Sequence, residues 1–301
     1  MTGVARLSGV DLAYLRAHPQ HLPTFLRHQR IRETPVGGGS IGQTSRLTLE
    51  DGASVFAKIL EGAPPHFFNS EAEGLRWLRA AAGVPVPDVL AVGPDLLALE
   101  WVEPGAPSPA AAQRFGRELA LTHRAGADGF GAAWPGFIGS LPQPNDGAGL
   151  TWPEFFAECR LLPHLRASIS RGALADADVS LVEAVLSRID ELAPPAEPPA
   201  RLHGDLWPGN VLWGADGRAW LIDPSAHGGH RETDLAQLAL FGGIPYLPRV
   251  LAAYEEVWPL ADGWPARVAL HQLHLLLVHT ALFGEAYREA VVRAARAALA
   301  I

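Results

Sequence analysis

A single run of residues in the last third of the chain most constrains its fold. The run LHGDLWPGNVLW covers residues 202–213, and a further aspartate, Asp223, follows Asn210 by thirteen residues. The pair Asp216-Gly217 lies between them, and Asp-Gly between two apolar segments is typical of a β-hairpin turn. The pattern therefore predicts a hairpin with Asn210 and Asp223 at the same end of its strands, and Asp205 on the loop that enters it.

The three side chains at this end of the hairpin are those that phosphoryl transfer requires. Mg²⁺ neutralises the phosphates of ATP and prefers carboxylate and amide oxygens, which Asp223 and Asn210 supply. A carboxylate free of metal can orient the attacking hydroxyl and accept its proton, and Asp205 suits that role. The spacing of the three residues is that of kinase catalytic loops. It predicts a kinase that uses ATP and Mg²⁺, with Asp205, Asn210 and Asp223 as catalytic residues.

Lys58 is the only lysine in the chain, although lysine and arginine together number 24. Arginine is a planar fork of donors, whereas lysine is a compact charge on a slim stem, which fits a narrow slot facing phosphate oxygens. The alternative is the chance survival of one surface lysine. Lys58 lies in an alternating segment that predicts a strand. A glutamate on the next predicted helix would hold it by an ion pair, and Glu71 is favoured over Glu73.

Two further segments are candidates for nucleotide binding. A glycine-rich loop before the lysine strand can bring backbone N–H groups close to phosphates, and its residues are Gly37, Gly38, Gly39, Ser40 and Ile41. An ordinary hairpin connection is the alternative for this loop. At the end of a later predicted strand, backbone groups of Glu100, Trp101 and Val102 are placed to contact adenine, and a plain buried strand is the alternative there.

The order of the predicted elements divides the chain at residues 103–105. Residues 1–30 are predicted to form one or two short helices, and the following segments are mostly strands, including 89–92 and 96–102. After the joint the predicted elements are mostly helices, at 108–124, 152–171 and 179–192. We therefore predict an α+β, protein-kinase-like fold with two lobes. The small antiparallel-sheet lobe covers residues 1–102, and the larger, mainly helical lobe covers residues 103–301.

Charge and composition limit the kinds of partner that the sequence predicts. The net charge is −8, whereas a nucleic-acid-binding face would be basic, so no nucleic-acid partner is predicted. No run of 18 uncharged apolar residues is present, and the first residues lack the apolar block of a secretion signal, which predicts a cytoplasmic protein with no membrane partner. A single cysteine, Cys159, excludes an internal disulfide. Oligomeric state is left open by these patterns.

Six short motifs, spread from about residue 33 to residue 243, form a consistent set. They are GGGSI at 37–41, FIGSLPQPN at 137–145, WPEFFAECRL at 152–161, HGDLWPGN at 203–210, IDP at 222–224 and GHRETDLA at 229–236. His-Gly-Asp alone fits any aminoglycoside-phosphotransferase-like kinase, whereas the Leu-Trp that follows it and the Gly-His-Arg-Glu block are much more specific. Together the motifs resemble the fructosamine kinase, or ketosamine 3-kinase, family.

The resemblance implies Mg-ATP-dependent phosphorylation of the 3-hydroxyl of a ketosamine, of the ribulosamine, erythrulosamine or fructosamine type. Such 3-phosphates shed the amine, so the activity leads to deglycation of a small-molecule ketosamine or a glycated protein side chain. Carried over by position, the family's functional residues are a catalytic aspartate at Asp205, metal ligands at Asn210 and Asp223, and a phosphate-setting pair at Lys58 and Glu71. Asp234 is expected to brace the catalytic loop.

The sequence gives weaker evidence for the residues that would contact the acceptor. Trp207 lies two residues after Asp205, and its face would attract the secondary ammonium of a ketosamine; core packing under the loop is the alternative. His230 and Arg231 are candidates to line the same cleft, or else belong to a surface ion network with Glu232. Two other functions stay open: a kinase of the same fold acting on an aminoglycoside, choline or homoserine, and a nucleotide-binding regulator without catalysis.

Overall fold

The computed structural model describes residues 32–36, 42–48 and 53–301, and its first part is an antiparallel sheet of five strands in the order β1-β2-β3-β5-β4. The strands are β1 (Arg32–Pro35), β2 (Gln43–Thr48), β3 (Ser54–Ile59), β4 (Val89–Gly93) and β5 (Leu96–Glu100). The predicted helices within residues 1–30, the glycine-rich loop at 37–41 and the turn at Asp51 and Gly52 lie outside the described residues.

Side chains along β3 point alternately to the two faces of the sheet, and each face packs against different residues. Val55 and Ala57 pack into a small cluster on one face of the sheet. Phe56 and Leu60 point the other way and pack against the main core, so Lys58 shares their face. Lys58 pairs with Thr44 on one side and Leu97 on the other, which places it on a central strand. The sequence prediction for this strand is confirmed.

Helix α1 (Phe67–Arg79) covers that same face of the sheet. Its buried residues include Phe68, Leu75 and Leu78, a stripe at helical spacing. Glu71 lies four residues before Leu75 and therefore on the stripe, so the helix presents its carboxylate to the sheet.

The remainder of the chain is mainly helical, as predicted. Its helices are α2 (Pro109–Arg124), α3 (Trp152–Phe155), α4 (Leu162–Ser170), α5 (Asp176–Ser187), α6 (Ile189–Leu192), α7 (Glu232–Gln237), α8 (Leu247–Glu255), α9 (Trp264–Phe283) and α10 (Arg288–Leu299). A π-helical segment, Phe156–Leu161, joins α3 to α4. Among the described residues no helix is long and apolar enough to cross a membrane.

Eight short strands connect these helices: β6 (Phe130–Gly131), β7 (Gly136–Ile138), β8 (Leu141–Gln143), β9 (Asp146–Gly147), β10 (Ala200–Leu202), β11 (Val211–Trp213), β12 (Ala219–Leu221) and β13 (His227–Gly229). The predicted hairpin is formed by β11 and β12, with Val211 opposite Leu221 and Trp213 opposite Ala219. Gly217, at φ 73°, makes the turn that the Asp-Gly pair predicted.

One hydrophobic core joins the sheet to the hairpin. Leu75 of α1 and Leu97 of β5 belong to the same buried cluster as Phe115 of α2 and Leu221 of β12. The N–H of Leu221 also donates to the carbonyl of Pro85, 3.0 Å away. This shared packing fixes the position of the lysine strand relative to the hairpin, and so relative to the residues at the hairpin's end.

Candidate active site

Lys58 joins the sheet, helix α1 and the hairpin at one point. Its Nζ donates to Oε1 of Glu71 at 2.6 Å and to Oδ1 of Asp223 at 2.8 Å. Glu73, the other candidate, instead pairs with Arg76 at the exposed surface. Lys58 is buried, so the ammonium is held by two carboxylates largely away from water.

The charges of this trio depend on one another. Burial lowers the pKa of Lys58, but the carboxylates of Asp223 and Glu71 outweigh it and hold the pKa above its usual value. Burial raises the pKa of Glu71, and the charge of Asp223 adds to that rise while Lys58 opposes it. The lysine therefore stays charged and is what allows two carboxylates to lie this close together.

Asp223 reaches Lys58 through an unusual backbone conformation. Its φ is 55°, in the left-handed region that costs a non-glycine residue about 1 kcal/mol. Such strain is concentrated at functional sites, where the surrounding structure enforces it. Here the preceding residue is fixed by a hydrogen bond from Ile222 N–H to the carbonyl of Asn210 at 3.1 Å.

Asn210 and Asp205 are bound directly to each other. Nδ2 of Asn210 donates to the carbonyl oxygen of Asp205 at 2.8 Å and to its Oδ2 at 2.9 Å. Burial raises the pKa of Asp205 well above its usual value, the charges of Asp223 and Asp234 add to the rise, and the bond from Asn210 opposes it. The raised pKa makes the ionised carboxylate of Asp205 a stronger proton acceptor.

The free oxygens at this site suit a magnesium ion. Oδ1 of Asn210 and Oδ2 of Asp223 accept no hydrogen bond from any residue that the structure describes. Both residues line one cleft together with Lys58, Glu71 and Asp205. A carboxylate and an amide oxygen facing an open cleft are the donor set that Mg²⁺ prefers, with water completing the shell. The residues present therefore fit the ion.

The loop that carries Asp205 is fixed by a buried aspartate. Asp234 accepts hydrogen bonds from the N–H groups of His203 at 2.8 Å and Gly204 at 2.9 Å, and it contacts Nε2 of His123 at 3.2 Å. His203 in turn donates from Nε2 to the carbonyl of Ile222 at 2.8 Å. These bonds hold the Asp205 loop to the segment after β12 that carries Asp223.

We expect the substitution Asp234→Ala to lower the free energy of unfolding by about 3 kcal/mol, because it leaves two buried N–H groups without an acceptor. Burial would raise the pKa of Asp234, but its bonds with His123 and Gly204 outweigh burial and hold the pKa below its usual value. The stabilisation is then present above about pH 4 and is lost as the pH falls, so variant and native protein converge in acid. Urea unfolding at several pH values measures this.

The exposed Asp190 provides the control for that experiment. Asp190→Ala should change the free energy of unfolding by less than about 0.5 kcal/mol at every pH. If both variants lost the same free energy of unfolding, or if the loss for Asp234→Ala did not shrink in acid, Asp234 would not be what holds the Asp205 loop in place.

Trp207 lines the cleft and also packs against neighbouring residues. A Cβ built on Gly209 would collide with the Trp207 ring, so the ring occupies the space over that glycine. The Trp207 ring also lies nearly perpendicular to that of Phe241, with ring centroids 5.8 Å apart. Trp207 therefore packs under the loop, as one interpretation held. It also lines the cleft, where the other interpretation places the acceptor.

Glu100, Trp101 and Val102 lie at and just after the end of β5, outside the group of described residues that line the cleft around Lys58. Oε2 of Glu100 accepts from the N–H of Asp88 at 3.1 Å. The indole of Trp101 donates to Glu103 at 2.8 Å. The side chains of Glu100 and Trp101 therefore have structural partners, which leaves any adenine contact to the backbone.

Of the two places predicted for His230 and Arg231, the cleft or an ion network, the cleft around Lys58 is lined by other described residues, and the contacts of both side chains favour the network. Both are buried. Arg231 pairs with Glu197 at 2.7 Å and lies over the Trp258 ring at 4.0 Å. His230 lies beside Glu232, whose two oxygens both accept from Arg267. Arg231 and Glu232 can be buried because residues distant in sequence, Glu197 and Arg267, supply the opposite charges.

Sequence reasoning missed a buried polar group behind the cleft. Arg160, in the π-helical segment, is fully buried and donates to the carbonyl of Pro144 at 2.5 Å and to Oδ1 of Asn145 at 2.9 Å. Burial lowers its pKa to about 9. These bonds hold the segment that leads to Gln143, which donates to Ser225 on the cleft wall at 2.8 Å. The one available signal was the WPEFFAECRL motif, which contains this arginine.

Comparison with known proteins is consistent with this geometry. A sequence model described as fructosamine kinase matches residues 19–300. A probable ketoamine kinase of Thermus thermophilus is 38% identical over 260 residues, 86% of this chain and 91% of that protein. A chloroplastic protein-ribulosamine 3-kinase of Arabidopsis thaliana is 32% identical over 270 residues, 85% of this chain and 79% of that protein.

Solved structures agree. A putative fructosamine-3-kinase from Thermobifida fusca is 53% identical and superposes with a TM-score of 0.85, covering 90% of this chain and 94% of that one. Antibiotic phosphotransferases, at 18–19% identity and TM-scores of 0.57 to 0.59, share the fold alone, which confirms the predicted α+β, kinase-like class. The chain belongs to the fructosamine kinase family, and with it to the kinase class of enzymes.

Proposed function

We propose that the protein transfers the γ-phosphate of ATP to the 3-hydroxyl of a ketosamine. The observation that carries the proposal is a single cleft in which Lys58 joins Glu71 to Asp223 while Asp205 and Asn210 line the same space. These are the five positions on which the kinase motifs place a phosphate-binding cation, its partner, a base and two metal ligands.

On the nucleotide side, Lys58 binds phosphate oxygens and Glu71 keeps the ammonium in position at 2.6 Å. The glycine-rich segment at 37–41 lies outside the described residues and stays a sequence prediction for phosphate binding, and backbone groups of Glu100, Trp101 and Val102 are assigned to the adenine. In this arrangement the nucleotide lies between a lobe of residues 1–102 and a lobe of residues 103–301.

On the acceptor side, Asp205 orients the hydroxyl group and takes its proton. Asn210 occupies Oδ2 of Asp205, which leaves Oδ1 as the oxygen available to the acceptor. Mg²⁺ held by Asn210 and Asp223 would neutralise charge on the phosphates during transfer. Because Asp205 and Asn210 are hydrogen-bonded, the base and the metal site keep a fixed distance from each other.

The choice of acceptor rests on the relatives. They are named for ketoamines and, in one case, for ribulosamine on protein. Trp207 lines the cleft with Asp205, and the face of an indole ring favours the secondary ammonium that distinguishes a ketosamine from a plain sugar. Loss of the amine from the resulting 3-phosphate would complete deglycation.

A panel of acceptors tests this function. We expect purified protein with Mg-ATP to phosphorylate ribulosamine, erythrulosamine or fructosamine adducts, and to leave aminoglycosides, choline and homoserine unmodified. Asp205→Asn protein serves as the blank for each acceptor. Transfer to choline or an aminoglycoside alone would assign a related kinase instead, and ATP binding with no transfer to any acceptor would leave only a nucleotide-binding regulator.

A further inference from the structure

Helix α1 contains a glycine at the point where it meets the residues that follow Asp223. Gly74 is buried in the middle of the helix, three residues after Glu71 and three before Trp77. Glycine is a poor helix former, because it loses more backbone freedom on folding than any other residue. A buried glycine inside this helix of 13 residues therefore calls for a local reason.

That reason is the close approach of the helix to residues 224–226, which we call the contact segment. A Cβ built on Gly74 would lie 3.1 Å from the Cβ of Ala226 and 3.7 Å from Cγ of Pro224. Two carbon atoms are in favourable contact at about 3.5–4.0 Å, so the first distance is too short. The missing side chain is what allows the backbone of α1 to lie directly against the contact segment.

The contact segment cannot move away from the helix without disturbing the Asp205 loop. The hydroxyl of Ser225 donates to the carbonyl of Phe137 at 2.7 Å and accepts from Nε2 of Gln143 at 2.8 Å. The carbonyl oxygen of Ser225 lies so close to Gly204 that a Cβ on that glycine would collide with it. Since Gly204 directly precedes Asp205, the contact segment is enclosed between α1 and the Asp205 loop.

The last turn of α1 is also fixed in place. Nη1 of Arg201 donates to the carbonyl of Trp77 at 2.6 Å, and its guanidinium lies 4.5 Å from the centroid of the Trp77 ring. Arg201 belongs to β10, the strand that leads into the Asp205 loop. With this end anchored, a side chain added at Gly74 would displace the half of the helix that carries Glu71.

We propose that Gly74 is a positioning residue: it lets α1 touch the contact segment and so sets the carboxylate of Glu71 against Lys58. The helix carries Glu71, the contact segment follows Asp223, and Lys58 bonds to both carboxylates at 2.6 and 2.8 Å. Separating the helix from the contact segment therefore changes the distance between the two partners of the lysine. The consequence for ATP rests on the proposed function, whereas the placement of Glu71 is a property of the protein without nucleotide.

Gly74→Ala tests the contact with the smallest side chain that can be added. We expect it to lower kcat/KM for ATP about tenfold, because small misplacements of positioned groups have effects of this order or larger. Its melting temperature should stay within about 5 °C of the native value, since the better helix propensity of alanine offsets the tight contact. Initial rates at varied ATP and thermal unfolding measure the two quantities.

The lone lysine provides a second measurement that does not depend on turnover. Because Lys58 is the only lysine, protein labelled with ¹³C at lysine Cε gives a single side-chain NMR signal. We expect Gly74→Ala to shift this signal by more than its line width in nucleotide-free protein, since the carboxylate of Glu71 beside Nζ has moved. A glycine that merely supports the fold would leave the signal in place.

Gly93→Ala is the matched control. Gly93 ends β4 in the same sheet, its φ lies outside the left-handed region, and a Cβ there would meet no other described atom within 4 Å. It should leave kcat/KM for ATP and the lysine signal as in native protein. Adding Ala226→Gly to Gly74→Ala removes the opposing Cβ, so the double variant should recover most of the lost kcat/KM relative to Ala226→Gly alone.

The positioning role and the proposed function fail on different results. If Gly74→Ala keeps the native kcat/KM for ATP and the native lysine signal, the positioning role is overturned and the kinase function stands. Loss of activity that Ala226→Gly does not restore would also overturn the role. If native protein phosphorylates no acceptor, the proposed function falls, and the lysine signal of Gly74→Ala still decides whether Gly74 places Glu71.

Discussion

Replacing Asp205 with asparagine is expected to lower kcat by about 10²- to 10⁴-fold, the range in which a general base contributes. An asparagine oxygen can still accept the hydrogen bond that Nδ2 of Asn210 now gives to Oδ2 of Asp205 at 2.9 Å, so the loop should keep its position. What is lost is the oxygen that accepts the proton of the acceptor hydroxyl. Steady-state kinetics with a ketosamine acceptor, together with ATP binding by calorimetry, separate the two effects.

ATP affinity is the internal control in this experiment. It should change by less than about threefold, because phosphate binding is assigned to Lys58 and metal binding to Asn210 and Asp223. Asp190→Asn, an exposed aspartate with the same chemical change, should retain full activity. An Asp205→Asn enzyme that keeps a tenth or more of the native kcat would contradict the role of Asp205 as the base.

Replacing Lys58 with arginine is expected to lower kcat/KM for ATP by about 100-fold, although the charge is conserved. The ammonium of Lys58 lies in a buried slot between Glu71 at 2.6 Å and Asp223 at 2.8 Å. A guanidinium is wider and planar, so it cannot keep both contacts and reach a phosphate oxygen as well. Altering one partner of a buried charged pair costs a binding energy of this order. Initial rates at varied ATP measure the loss.

Two neighbouring glutamates provide a matched pair for the same test. Glu71→Gln removes the charge that holds Lys58, whereas Glu73→Gln removes a charge paired with Arg76 at the surface. We expect a large loss of kcat/KM for ATP in the first and native values in the second. A Lys58→Arg enzyme with a normal rate, or equal effects of the two glutamate variants, would mean that the lone lysine is not part of the nucleotide site.

The hairpin and the lysine strand were predictable because their signals are local. Asp-Gly pairs and two-residue alternation depend on neighbours in sequence, and the structure confirms the β11–β12 hairpin and the face that Lys58 shares with Phe56. The choice between Glu71 and Glu73 depended on the phase of one helix. The buried stripe through Leu75 resolves it, because Glu71 lies one turn before that residue.

The positions of His230 and Arg231 were not predictable by the same means. Charged residues are rarely fully buried, so a Gly-His-Arg-Glu block in a loop suggested a cleft or a surface. The structure buries Arg231 because Glu197, 34 residues earlier, supplies a paired charge. Arg160 was missed for a similar reason, since two of its four acceptors are backbone carbonyls that no sequence pattern identifies.

The most direct test of the central claim is the chemical position of the transferred phosphate. Native protein is incubated with Mg-ATP and a ribulosamine adduct, and the product is followed by ³¹P and ¹H NMR. We expect a phosphomonoester coupled to the proton on the third carbon of the sugar, formed by native protein and not by Asp205→Asn. A phosphate on any other oxygen, or release of inorganic phosphate without a sugar ester, would contradict it.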